Sequence, residues 1–162
     1  MSIGYYLTAQ VCLNGHVANK AMESDPHRNK AFCEKCGERT ISKCPSCEKP
    51  IRGPYEVPVT FSMGLYEPPS FCLSCGSPFP WTTMRQETVL ELLKQSGALT
   101  DDDLADLPGM LSDTIRDTPR ATIGASRLQV MIKKAGPQVG SIIRDLLVNI
   151  VSESAKKLIW PS

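Results

Sequence analysis

Four short cysteine or histidine pairs in the first half of the chain, a concentration of proline between residues 45 and 80, and a change to helical periodicity after Trp81 predict a small metal-bound α+β protein. The expected architecture is an N-terminal double zinc ribbon of short antiparallel strands over residues 1–81, followed by a C-terminal helical domain of three or four helices over residues 82–162. The 162-residue chain is 22% charged with a formal net charge of +1, so neither an acidic nor a basic excess dominates it.

In the ribbon half, the apolar stretch from Ile3 to Val11 and the β-branched segment from Tyr55 to Phe61 are the strand candidates. Eight of the 13 prolines fall between Pro45 and Pro80, which excludes a long helix there. The pairs are Cys12 with His16, Cys33 with Cys36, Cys44 with Cys47, and Cys72 with Cys75; they use all seven cysteines and one of the two histidines. In a C-x-x-C turn the two intervening residues bring both sulfurs to one side of a tight loop. Gly37 and Gly76, directly after a second cysteine, permit the positive backbone angles of the reversal. In Cys12-Leu13-Asn14-Gly15-His16, Asn-Gly supplies the turn and His16 falls where a second cysteine would point. His27 follows Asp25-Pro26 in a polar stretch and reads as a solvated surface residue.

Eight such ligands make two complete tetrahedral sets, the closed coordination of structural zinc, so two Zn2+ ions are expected. Disulfides are the rival reading. The odd cysteine count, the lack of an apolar signal segment and the C-x-x-C spacing favour a reduced, cytoplasmic, metal-binding chain. Sixteen residues separate His16 from Cys33 and 24 separate Cys47 from Cys72, but only seven separate Cys36 from Cys44. Long intervals can form a hairpin and return, so Cys12, His16, Cys33 and Cys36 are expected at one site and Cys44, Cys47, Cys72 and Cys75 at the other. A cross-braced pairing stays open, because spacing does not fix connectivity. Each ribbon is too small to bury much core, so metal must supply much of its folding free energy.

After Trp81, Thr83 with Gln86 reads as a capping box, with Val89, Leu92 and Leu93 on one face and Gly97 as the stop. Thr100 opens a second helix through Asp101-Asp102-Asp103, restarted by Pro108 and ended by Pro119. The third runs from Arg120 to Ala135 and closes at Gly136. The fourth begins near Pro137 and carries Val139, Ile142, Ile143, Leu146, Leu147, Ile150, Val151 and Leu158 at three-and-four spacing. That stripe suits an oligomerisation or partner face, but it equally suits the central strut of a bundle, the commoner use of the pattern. Arg144, Asp145, Glu153, Lys156 and Lys157 interrupt it too often for a membrane span.

Charge bears on partners. Residues 100–118 hold six acids and one arginine, whereas residues 119–157 hold seven bases and two acids. Arg120, Arg127, Lys133 and Lys134 can therefore contact phosphate or face the acidic helix within the bundle; the internal pairing is preferred. Seven metal-bound thiolates and two Zn2+ would take the formal charge from +1 to −2, which weakens general attraction to nucleic acid. Tyr5, Tyr6, Phe61, Tyr66 and Phe71 could stack bases, yet ribbon core is the expected role of most of them.

The segments Val11-Cys12-Leu13-Asn14-Gly15-His16, Phe32-Cys33-Glu34-Lys35-Cys36-Gly37, Cys44-Pro45-Ser46-Cys47 into Pro50-Ile51-Arg52-Gly53, and Pro68-Pro69-Ser70-Phe71-Cys72 through Pro80-Trp81 resemble a bacterial family of domains of unknown function. Ser112-Asp113-Thr114 to Pro119 and Ser152-Glu153-Ser154-Ala155-Lys156-Lys157 extend the likeness over nearly the whole chain. The resemblance implies a zinc-ribbon protein with a helical tail and supplies no activity.

An enzyme is not expected. Closed zinc sites leave no position for water, and the helical half has neither histidine nor cysteine. The favoured reading is a protein-interaction module or adaptor, with an unidentified protein partner or self-association through the C-terminal helices. A nucleic-acid-binding zinc ribbon is the alternative, and a zinc or redox sensor the third.

Overall fold

The computed structural model describes residues 4–57 and 64–161. Short antiparallel strands carry two ligand clusters and lead into helices, as the sequence predicts. By compactness the chain divides into two units, Met1–Thr83 and Met84–Ser162.

In the first unit, β1 (Tyr5–Thr8) pairs with β5 (Arg52–Glu56), and β2 (Gln10–Cys12) lies between β3 (Val17–Asn19) and β4 (Thr40–Ile41). The expected strand from Ile3 to Val11 is thus two strands, broken at Ala9, whose N–H bonds to the Ile51 carbonyl at 2.9 Å. The break lets one run of sequence serve two sheets. Ile3 itself lies outside the described residues, as do residues 58–61 of the other strand candidate. The strand there begins earlier than predicted, at Arg52, because pairing with β1 in the register Tyr6 to Tyr55 outweighs local composition.

The core of this unit is Ala9, Val11, Cys44, Ile51, Cys72, Phe79 and Trp81. Phe79 and Trp81 stack with centroids 4.6 Å apart, and the Trp81 indole N–H donates to the Pro69 carbonyl at 3.0 Å. These rings fill the core, and of the predicted aromatics Tyr66 packs against it while Tyr5 and Tyr6 are each 54% exposed. Tyr66 and Phe71 are half-buried, and Phe61 is outside the described residues. On β1 the buried side chain is Leu7, 5% exposed.

Helix α1 (Pro80–Gln95) starts three residues before the predicted cap. The Phe79 carbonyl accepts from the N–H of Thr82 and Thr83, so Thr83 sits inside the first turn and forms no capping box. Proline at the first helical position and the buried Trp81 and Thr82 set that start. Val89 and Leu93 are fully buried and Leu92 half-buried.

In the second unit, α2 (Asp101–Ile115) is capped by Thr100, which accepts from the Asp103 N–H at 3.2 Å while its own N–H donates to the Asp103 carboxylate at 3.1 Å. Pro108 does not restart this helix. The buried face Leu107, Met110, Leu111, Thr114 and Ile115 is continuous past the proline, and its burial outweighs one lost backbone bond. The helix ends at Ile115, before the predicted Pro119. Helix α3 (Ala121–Ala135) closes at Gly136, with φ of 92°.

The predicted fourth helix is two, α4 (Pro137–Leu147) and α5 (Glu153–Ile159), giving five helices among the described residues. Ser152 breaks the run, since its hydroxyl accepts from the Ala155 N–H at 3.2 Å and caps α5. The restart shifts the apolar phase, so Ile159 is buried and Leu158 only half-buried. The central strut is α3, which packs against α2, α4 and α5, and not the last helix. Gly124 lets α3 approach α2 closely: a Cβ there would lie 2.8 Å from Thr114 Oγ1 and 2.9 Å from the Met110 carbonyl.

Candidate metal centres

Three C-x-x-C turns share one backbone. In each, the first cysteine N–H donates to the carbonyl five residues on, from Cys33 to Glu38, Cys44 to Lys49 and Cys72 to Ser77, each at 2.8 Å. The residue after the second cysteine donates back to the first cysteine carbonyl, from Gly37, Glu48 and Gly76. That residue has φ of 72°, 63° and 72° respectively. Glu48 therefore holds, without being glycine, the conformation that the sequence assigns to glycine in the other two turns.

The fourth pair uses a different turn. Gly15, with φ of 88°, donates to the Cys12 carbonyl, and the Cys12 N–H donates to the His16 carbonyl at 2.9 Å, closing the β2–β3 hairpin. His16 Nδ1 comes 3.6 Å from both Cys12 Sγ and Cys33 Sγ, and Cys12 Sγ lies 3.8 Å from Cys36 Sγ. In the other cluster Cys44 Sγ and Cys75 Sγ are 3.8 Å apart, and Cys47 Sγ and Cys72 Sγ 3.6 Å.

The structure thus gathers Cys12, His16, Cys33 and Cys36 in one group and Cys44, Cys47, Cys72 and Cys75 in a second, with the ligand atoms of each within 4.8 Å of one another. This is the consecutive grouping, not the cross-braced one. The sulfur separations are far beyond a disulfide bond of about 2.05 Å. Each group could hold one metal ion. His27 is in neither; it lies at the surface 3.7 Å from Asp25.

Hydrogen bonds prepare several sulfurs for the thiolate form. The Glu38 backbone N–H and then the Asn14 amide, 3.4 Å from Cys36 Sγ, lower the Cys36 pKa to about 6. The Ser77 hydroxyl and N–H lower Cys75 to about 6, and the Ser74 N–H lowers Cys72. At Cys47 the Lys49 N–H also favours the thiolate, but desolvation and the Cys75, Cys72 and Cys44 sulfurs outweigh it and push the pKa up to about 12. Desolvation raises Cys12. Four crowded sulfurs cannot all ionise against one another, and a divalent cation at their centre removes that conflict.

Both groups have the same exposure order. Cys12, Cys33, Cys44 and Cys72 are buried, while Cys36 and Cys75 reach the surface. Cys44 and Cys72 belong to the apolar core that includes Trp81, so the second centre and that core are one structure. The sequence reading of Asn14 as a turn residue missed its bond to Cys36; nothing in the spacing predicts which side chain reaches a sulfur across 22 residues.

Of the four basic residues expected to face the acidic helix, Arg120, Arg127 and Lys134 do, whereas Lys133 is exposed and forms no ion pair among the described residues. Arg120 pairs with Asp113 at 3.1 Å, Lys134 with Asp103 at 2.7 Å, and Arg127 with Asp106. No helix among the described residues is long and apolar enough to cross a membrane.

No curated protein and no solved structure matches the chain. One family model, described as an uncharacterised protein conserved in bacteria, matches residues 5–159, a span that includes both groups of candidate metal ligands and the helices. The chain belongs to this bacterial family, domain of unknown function 2321.

Proposed function

We propose that the protein is a non-enzymatic interaction module in which two structural zinc ions hold a rigid ribbon that docks a protein partner. The observation that carries this reading is an exposed groove of about 470 Å³ beside β1 and β5. Tyr6 and Tyr55 meet edge to face there with centroids 4.9 Å apart, and the Arg52 guanidinium lies 4.7 Å above the Tyr6 ring. The Tyr66 hydroxyl donates to the Arg52 carbonyl at 2.6 Å and braces the strand from the groove side. Tyrosine and arginine are the residue types that dominate protein interfaces, and preorganised rings lose little entropy on docking.

Zinc is supported by distance. A tetrahedral Zn–S bond of about 2.3 Å sets sulfurs about 3.8 Å apart and a sulfur–imidazole edge near 3.6 Å. Five of the ligand-atom separations are 3.6–3.8 Å, and all within each group are no more than 4.8 Å. Four protein ligands per ion leave no position for a reacting water, which favours a structural role over catalysis. Ion pairing of Arg120, Arg127 and Lys134 within the helices supports the protein partner over nucleic acid.

The test is capture of partners from the native host after nuclease treatment, comparing the unaltered chain with a Tyr6→Ser, Tyr55→Ser variant. The variant is expected to keep two zinc ions per chain and lose the partners. Retention of every partner by the variant would refute the groove as the docking surface, and partners that vanish with nuclease alone would favour nucleic acid.

A further inference from the structure

A second cleft, in the helical unit, has different chemistry. It has a volume of about 420 Å³ and lies where α3 turns into α4 beside the end of α5. Ile132, Gly140 and Trp160 supply apolar lining, and Lys133, Ser141 and Arg144 supply polar groups. Unlike the ribbon groove, which includes Glu67, this cleft has no acidic lining residue among the described residues.

Charge pairing separates these cations from their neighbours. Arg120, Arg127, Lys134 and Lys156 each form an ion pair with a carboxylate. Among the described residues, Lys133 and Arg144 form none. Two unneutralised cations beside a half-buried indole give a concave site of net positive charge with an apolar wall. The positive end of the α4 dipole, at Gly136 and Pro137, adds to the same field.

Each feature selects part of a ligand. Arginine offers a planar donor fork that matches a phosphate or carboxylate, and lysine adds a point charge. Tryptophan offers a flat face to a ring. The cleft volume lies in the range of small-molecule sites, about 300–1,000 Å³. We propose that this cleft binds a small phosphate monoester carrying a flat ring, of the mononucleotide class, with Lys133 and Arg144 on the phosphate and Trp160 against the ring. The site is independent of the ribbon groove and of the protein-docking reading.

The test uses the full zinc-loaded chain and three probes, adenosine 5′-monophosphate, adenosine and inorganic phosphate, titrated by calorimetry. The monophosphate is expected to bind one per chain, more tightly than either fragment, with affinity falling as salt rises. Arg144→Gln should weaken it by about tenfold or more, the cost of one charge-assisted contact. Lys133→Gln should do the same, and Trp160→Phe should retain more affinity than Trp160→Ala. Both Gln substitutions replace exposed side chains, so unchanged helical circular dichroism will accompany the loss. No heat with the monophosphate at millimolar concentration, or binding that both Gln variants leave intact, would overturn the site. Adenosine binding as tightly as the monophosphate would overturn the role given to the two cations.

Discussion

Glu48 is the sharpest test of the knuckle geometry, because two turns in the same chain serve as its controls. Its backbone sits at φ of 63°, against 72° at Gly37 and Gly76, with equivalent hydrogen bonds in all three turns. A non-glycine residue in this region costs about 1–2 kcal/mol. Glycine, in turn, loses about 0.5–1 kcal/mol more backbone entropy on folding. Glu48 is exposed and its side chain makes no hydrogen bond or ion pair among the described residues, so little else changes. Glu48→Gly should therefore stabilise the second centre by about 0.5–1 kcal/mol, a two- to five-fold gain in metal affinity where binding and folding are one equilibrium. Gly76→Ala should lose about 1 kcal/mol there, and Gly37→Ala the same at the first centre, since a Cβ at either position meets nothing within 4 Å and the cost is purely conformational. Chelator competition at fixed pH, with zinc counted per chain, measures all three. A Glu48→Gly protein that releases metal more readily than the unaltered chain would refute the reasoning.

Other outcomes follow from the same structure. Cys75→Ser should reduce bound zinc from two ions to one and raise the exposure of Trp81, which shares a core with Cys44 and Cys72, read by tryptophan fluorescence. Gly124→Ala should destabilise the helical unit by about 1–2 kcal/mol, the net of overpacking against Thr114 and Met110 and improved helix propensity, whereas Gly109→Ala, with open space around it, should stabilise by about 0.5–1 kcal/mol; thermal melts of the two variants must move in opposite directions. The Lys134 ammonium and the Thr100 N–H hold Asp103 below its ordinary carboxylate value. Its contribution to stability is thus present above about pH 4 and is lost as pH falls through the lower folded-state value, and Asp103→Asn should remove that part of the acid dependence in melts taken from pH 6 to pH 3.

Local chemistry made much of this protein legible before any tertiary contact. The C-x-x-C turns, the Thr100 start of α2 and the Gly136 stop of α3 depend on residues a few positions apart, and they appear where the spacing puts them. Helical periodicity was equally readable, since the buried face of α3 follows from Ala121, Ala125, Leu128 and Ile132 alone. What misled was competition between local signals. Thr83 carries a capping pattern, but Trp81 and Thr82 are buried and start α1 earlier. Pro108 carries a breaking signal, but the apolar face of α2 runs past it.

The sequence by itself determined the ligand types, their pairing in short turns and the change from ribbon to helix, because each is set by bonds that span only a few residues. Only the tertiary structure decided that Asn14 reaches Cys36, that Tyr6 and Tyr55 face outward while Phe79 and Trp81 fill the core, and that α3 is the strut. It also decided that Arg127 and Lys134 meet acids on α2 while Lys133 and Arg144 line a cleft with no acid among the described residues. Those outcomes rest on which surfaces meet across long stretches of chain, and burial of apolar faces and neutralisation of charge are settled only by that meeting.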